Sequence, residues 1–484
     1  MDFKPIRNKI RTFSYHSLTT HLLQILKEQE TSERPQAFWH SLTLLKWTLE
    51  FAGESYPSKN ANKNDVHKLL NSLSDLEMSH RTFNLKTNGG KINKMLTILS
   101  VQQLQYQQNA WRHSFASQLI LFYDLKHKYD IAKSFKQLTN LDLSVFLEIL
   151  FIYWLVITQD HLTKMKFDSQ LYEDVTNIIV DLYGATIAKD FRKLLTVSQD
   201  NAKEIFEEDK RMVRNYDLQI FDTSFFTRYP FFAFDGKIVI PHKDILTPTA
   251  NYFIYDFMKN RDEHFSTEFG GRMEKYMNLG LKEINASFKT ENDLKSILGK
   301  DQKVVDFIID GNILVEAKAI ELKPIIGINP TDDNLANEFR KNIVKAYTSQ
   351  MLDVVETLQL KEEAFGIIVT YKRLYIGNSG DVWNQFLKEE TQKLKTAEQI
   401  ALLPIENLFF IDLHTWDTIV QIIKNNKITL TEILIKVRDT DKIEQQKKFS
   451  FEMHLDEYKI TNYDLLYLSE AYDRIQVKKD DRFD

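Results

Sequence analysis

The 484-residue chain has no cysteine. That excludes disulfides, thiol catalysis and thiolate zinc sites, and it suits a reducing compartment. It also lacks an excess of either charge: 63 Lys and Arg stand against 68 Asp and Glu, a net of -5. No global positive field therefore draws the protein onto nucleic acid, and any nucleic-acid surface must be local. The basic N-terminus is followed by no apolar h-region, so a secretory signal is not expected. The strongest membrane candidate, Leu143 to Thr158, is interrupted by Glu148 and falls short of the roughly 20 residues that cross a bilayer. It reads as a buried core helix, and the expectation is a cytoplasmic protein without a membrane segment. There is no HExxH or HxH pair to hold zinc and no GxxxxGK(S/T) loop to cradle ATP. No repeat of fixed period supports a solenoid.

What is present is 43% apolar residues, enough for more than one core. From 1 to 216, Leu, Ile, Phe and Tyr recur at three- and four-residue intervals with little Pro or Gly, the pattern of an α-helical domain. Loops are expected at Tyr56–Asn64 and Asn88–Gly90. After Asp217 the texture changes. Pro230 to Pro241 reads as two short strands around Asp235-Gly236, and residues 217–264 form a connecting stretch that ends in a helix over about Thr247 to Lys259. Residues 265–425 alternate helix and strand as an α/β domain with a mixed central sheet does. Its expected elements are a helix over Ser266–Leu281, strands in VVDFII, ILVEAKAI, AFGIIVTY, RLYIG and LFFIDL, a long helix over Asn334–Leu358, and a closing helix over Thr415–Lys424. Residues 426–484 are charged and read as an appendage with aromatic anchors at Phe451, Tyr458, Tyr463 and Tyr467.

A Glu-x-Lys triplet is a poor signal alone, and the chain has four of them: Glu208–Lys210, Glu316–Lys318, Glu321–Lys323 and Glu457–Lys459. Only Glu316-Ala317-Lys318 lies inside an apolar strand. Charged groups there are costly to bury unless they are paired or bind an ion, so Asp306, Glu316 and Lys318 need a physical explanation. A metal site supplies one. Two carboxylates with a backbone carbonyl make an oxygen-rich shell suited to Mg²⁺ or Mn²⁺, beside a lysine able to orient water and offset phosphate charge. Side chains alternate along strands, so Glu316 and Lys318 share a face. Asp306 joins them only if the hairpin loop is odd in length, for instance Ile309 to Gly311; a two-residue Asp310-Gly311 turn sends it to the other face.

In the preceding helix, Met273, Tyr276, Met277, Leu281 and Ile284 form one apolar stripe. Glu274 lies on its edge, and Glu268 falls on the solvent side. In the long later helix Phe339, Ile343, Tyr347 and Val354 define the buried stripe, with Gln350 near its middle and in need of partners.

Glu274 on a helix, Asp306 on one strand, EAK at Glu316–Lys318 on the next and Gln350 on the following helix resemble the αβββαβ core of PD-(D/E)XK, or restriction-endonuclease-like, nucleases. GGRMEKYM, Gly270 to Met277, looks like the first core helix of many members. The resemblance covers roughly Phe265 to Tyr371, more weakly to Leu413, with Val305 where the motif's name has proline. It implies phosphodiester hydrolysis, with Asp306 and Glu316 as ligands of Mg²⁺ or Mn²⁺ and Ala317 offering its carbonyl. Lys318 would activate or position water, Glu274 would be an accessory or outer-shell carboxylate, and Gln350 a positioning residue. The expected substrate is nucleic acid, DNA first. The helical half would engage a partner protein, a trigger or a second copy, as bacterial antiphage effectors built this way do. The alternative is a non-catalytic nucleic-acid- or protein-binding subunit on a nuclease-like fold.

Other features carry blander readings. Gly377 and Gly380 read as a turn, Phe151–Val156 as core, and Lys282, Lys289, Lys295, Lys300 and Lys303 as a solvated surface that could flank a groove.

Overall fold

The computed structural model describes residues 2–30, 37–54, 57–80, 96, 99–107, 112–158, 169–209, 213–222, 224–321, 337, 340–360, 362–460 and 463–476. The expected loop at Asn88–Gly90, the residue Phe339 and the charged tail from Lys478 lie outside them.

The first half is helical, as its periodicity demands. Its most apolar helix, Leu143–Thr158, buries Phe146, Leu147, Leu150 and Tyr153 in protein. Glu148, which interrupts that run, is buried too and accepts the Tyr183 hydroxyl at 2.7 Å. Among the described residues no single helix is long and apolar enough to cross a membrane. One departure from an all-helical first half is β1 (Thr196–Val197), which pairs in parallel with β2 (Phe231–Phe234). The hairpin expected around Asp235-Gly236 is present: β2 runs antiparallel to β3 (Lys237–Val239), and both turn residues have positive φ.

The main sheet has the order β4 (Phe288–Thr290), β5 (Phe307–Ile309), β6 (Ile313–Lys318), β7 (Phe365–Thr370) and β8 (Leu408–Asp412). It is mixed: β4, β5 and β6 are antiparallel neighbours, whereas β6, β7 and β8 run in parallel. RLYIG is not a strand. Tyr375 and Gly377 take positive φ, which breaks an extended run, and Gly380, expected with Gly377 in a turn, lies instead in a short helix, Ser379–Val382.

Two hydrophobic cores sandwich this sheet. On one face Phe307, Ile309, Val315 and Ala317 pack with α2 (Leu246–Arg261), α3 (Phe265–Glu283) and α5 (Leu413–Asn426), and with helices of residues 115–195, including α1 (Arg112–Leu119). On the other face Ile308, Leu314 and Ile368 pack with α4 (Glu291–Leu298) and with a helical stretch from Arg340 to Leu358. A third core joins residues 3–106 to residues 197–245. Packing thus divides the helical half: the helices between Arg112 and Leu195 share their core with the main sheet, whereas the helix Gln199–Glu208 packs with the first hundred residues. The segment read as an appendage is also anchored. Leu430, Leu434, Leu465 and Leu468 are buried in the sheet's core, and α6 (Leu466–Gln476) packs on α1.

Candidate active site

The site begins with the parity of one hairpin. Across β5 and β6, Ile309 faces Ile313, Ile308 faces Leu314 and Phe307 faces Val315. One further step of that register sets Asp306 opposite Glu316, hence on the same side of the sheet. The loop is odd in length, as required, but it is Asp310-Gly311-Asn312 and not Ile309 to Gly311. Asp310 (φ 50) and Gly311 (φ 86) form the left-handed centre of a tight turn closed by Asn312 N–H on the Ile309 carbonyl at 3.3 Å. Asn312 is the extra residue that restores the parity, and its side chain is tied to the Glu363 carbonyl at 2.9 Å.

Four expected residues converge. Asp306 Oδ2 accepts the Ala317 N–H at 2.6 Å. Glu316 Oε1 accepts from Lys318 Nζ at 2.5 Å and from Gln350 Nε2 at 2.6 Å. Gln350 closes the ring: its Oε1 accepts from Lys318 Nζ at 3.1 Å, and its Nε2 also reaches the Val304 carbonyl at 3.2 Å. Asp306 is 9% exposed and Glu316 2%, so these acids sit where a bare charge is costly. Among the described residues Glu316 Oε2 is buried with no full hydrogen-bond partner, although the Asp306 backbone N–H lies near enough to the carboxylate to oppose its rise. An acid with one oxygen doubly bonded and the other unmet is under-neutralised, which is the condition a divalent cation relieves.

Gln350 reaches the cluster from a π-helical stretch, Tyr347–Leu352, whose Tyr347 and Met351 are buried with Ile343 and Val354 in the core under that face. The wider turn is of a kind often found at functional sites.

Glu274 is placed differently. The stripe of α3, Met273, Tyr276, Met277 and Leu281, is buried as expected, but against the sheet face that carries Val315 and Ala317. Glu316 and Lys318 alternate with Ala317 and point to the other face. Glu274 therefore makes no hydrogen bond to the cluster and feels it only through the field. Burial first, then Glu291 and Glu316, push its carboxyl up to about 7 against the pull of Lys318 and Lys295. Asp306 is driven well above the ordinary range by burial, then by Glu316 and Glu274. Glu316 is raised by burial, with Lys318 and Gln350 opposing.

Among the described residues no three acidic or imidazole side chains draw close enough to hold a metal ion by themselves. The candidate donors for a hard cation are Asp306, Glu316, the Ala317 carbonyl and the nearby Glu274 carboxyl. Among the described residues Glu274 makes no hydrogen bond to this cluster, but its carboxyl stands near enough to Glu316 and Lys318 to feel both.

Glu268 is not solvent-facing: it is partly buried and bonded to His127 Nδ1 at 2.6 Å. Sequence reasoning passed over Glu291, which meets Lys295 at 2.6 Å and lies near enough to Glu274 to raise its pKa. Its signal was the Thr290/Asp293 capping box, which fixes Glu291 in the first turn of α4. Lys282, Lys289, Lys300 and Lys303 are exposed.

No protein-family model, curated protein or solved structure matches this chain.

Proposed function

We propose that this chain is a divalent-metal-dependent nuclease that hydrolyses phosphodiester bonds, DNA foremost, at Asp306, Glu316 and Lys318. The observation that carries the reading is the under-neutralised pair: two buried acids on one sheet face with a single lysine bonded to one of them, and Glu316 Oε2 unmet. Support also comes from the element order, which apart from the short α4 inserted between β4 and β5 is a helix, three antiparallel strands, a second helix and a parallel strand, as in the PD-(D/E)XK core.

Asp306 and Glu316 would hold Mg²⁺ or Mn²⁺, with the Ala317 carbonyl completing the protein's share. When bound, the ion supplies Lewis-acid polarisation of the phosphoryl group. Lys318 has two jobs. Its ammonium offsets negative charge at the phosphate, and Nζ orients the attacking water. Gln350 holds Lys318 and Glu316 at once and so fixes the spacing between cation and acid. Glu274, its carboxyl pushed up to about 7, would serve as an accessory ligand or outer-shell carboxylate beside Glu316.

The test is incubation of the full chain with plasmid, linear duplex, single-stranded DNA and RNA in Mg²⁺, Mn²⁺ or EDTA. Cleavage should need the ion and vanish in Asp306→Ala and Lys318→Ala. Activity surviving in either variant moves the chemistry elsewhere. Ion-dependent nucleic-acid binding without cleavage would favour a non-catalytic subunit.

A further inference from the structure

A second polar site opens at the carboxyl ends of β7 and β8, apart from the acid-lysine cluster. It is a cavity of about 410 Å³, within the size range of small-molecule pockets. Four separated segments build it: α1, α2, the strand ends with the start of α5, and the stretch from Glu452 to Tyr463.

Its walls present hydrogen-bond acceptors that no described residue satisfies. Gln118, only 2% exposed, spends its amide N–H groups on the carbonyls of Ser114 and Ala250, which fixes its orientation and leaves Oε1 buried with no donor. Glu452 Oε1 is taken by Arg373 Nε at 3.0 Å and Thr415 Oγ1 at 3.1 Å, whereas its Oε2 is buried and unmet. Asn251 Oδ1 is in the same condition. All three residues line the one cavity.

The remaining walls narrow the class of ligand. His414 and Tyr463 both line the cavity, ring centres 6.0 Å apart at 37°, and Tyr463 packs on His113 behind them at 3.9 Å, so one side is an aromatic wall. Burial lowers both imidazoles, in His414 against the opposing pull of Asp412. Among lining ionisable residues, Arg373 and Lys459 face Asp412, Asp417, Glu452 and Asp456. Arg373 is already engaged by two of those acids, a balance that repels phosphate.

We propose that this cavity binds a small, phosphate-free molecule with a planar, N–H-donating amidine face, the chemistry shared by guanidinium compounds and amino-bearing nucleobases. Its N–H groups would meet Gln118 Oε1 and Glu452 Oε2, with its plane against His414 and Tyr463.

The experiment is calorimetric titration and thermal unfolding of the full chain with agmatine, cytidine, adenosine, uridine or inorganic phosphate at millimolar concentration. Saturable binding of agmatine, or of cytidine and adenosine, is expected, and the responding arm identifies the source. Uridine and phosphate should not bind. Glu452→Gln and Gln118→Leu should each weaken binding by about tenfold, the loss of one charge-assisted or buried hydrogen bond. Glu452→Gln keeps the size and fold of the wall should Gln118→Leu unfold. Asp306→Ala should leave binding unchanged, so this site and the nuclease reading fail separately. Absence of binding by all three amino-bearing probes, equal binding of uridine, or full binding by Glu452→Gln overturns the proposal.

Discussion

Two acid-cation clusters stand on the same edge of the same sheet. Lys318 faces Thr370, and Thr370 faces Asp412, so the clusters are two strands apart, roughly 10 Å. In the second, Arg373 Nε meets Asp412 at 3.1 Å and Glu452 at 3.0 Å, and Asp412 Oδ1 caps α5 through the Thr415 N–H at 2.7 Å and hydroxyl at 2.6 Å. Burial works to raise Asp412, yet Arg373, His414 and Thr415 together hold it below the ordinary range. In the first cluster, burial and like charge prevail over one lysine, and both Asp306 and Glu316 are raised. The residue classes are the same. What differs is whether the surrounding donors suffice: Asp412 is met by enough of them, whereas Asp306 and Glu316 are left short of positive charge.

The largest expected effect tests that contrast directly. Asp306→Asn should lower nuclease activity by roughly 10³-fold, the scale of removing one electrostatic catalytic group. In EDTA it should nevertheless raise the unfolding midpoint, because it deletes a buried charge and keeps an acceptor for Ala317. Arg373→Met should instead cost about 3–5 kcal/mol by leaving its two acids unpaired. Denaturant titration of both variants reads the signs, and a destabilised Asp306→Asn in chelator breaks the comparison.

Next comes pH. Glu274, pushed up to about 7, contributes stability that is fully present below its unfolded pKa and lost as pH rises through 7. Asp306 and Glu316, also raised, act in the same direction. The ion-free protein should therefore lose stability as pH rises through 7, and Mg²⁺ should restore more of it above 7 than below. Asp412, depressed, has the opposite sign: its contribution holds at neutral pH and is lost only as pH falls through its folded value. Unfolding free energy measured across pH with and without Mg²⁺ checks both limbs, and Glu274→Gln should flatten the neutral one.

Gln350→Leu should reduce kcat by about 10- to 100-fold, the range for loss of an orienting partner, with the fold intact by circular dichroism. The smallest effect belongs to the turn: Gly311→Ala should cost about 1 kcal/mol because φ there is 86°, and chemical denaturation would register it.

Much of this was legible along the chain. EAK stood out among four similar triplets because it alone sat in an apolar strand, and that strand is indeed buried through Val315, Glu316 and Ala317. The hydrophobic stripes around Gln350 and Glu274 were equally readable, since helical periodicity is a property of neighbours three and four apart. Other features escaped. Asn312 looks like an ordinary strand residue, yet it decides which face receives Asp306. Glu274 sits correctly on its helix edge, but the helix packs on the opposite sheet face. The segment after 426 has the charge of a loose tail, and its few Leu residues still close the main core.

The order of residues by itself determined the local elements and the chemical cast: which strand is buried, which acids and lysine it carries, where a turn must fall. Tertiary structure decided which of them meet, because a strand's two faces are separated by a shift of one residue and the choice of covering helix depends on contacts hundreds of residues apart. The deficit of positive charge around Glu316, and its absence around Asp412, exist only once those faces have been packed.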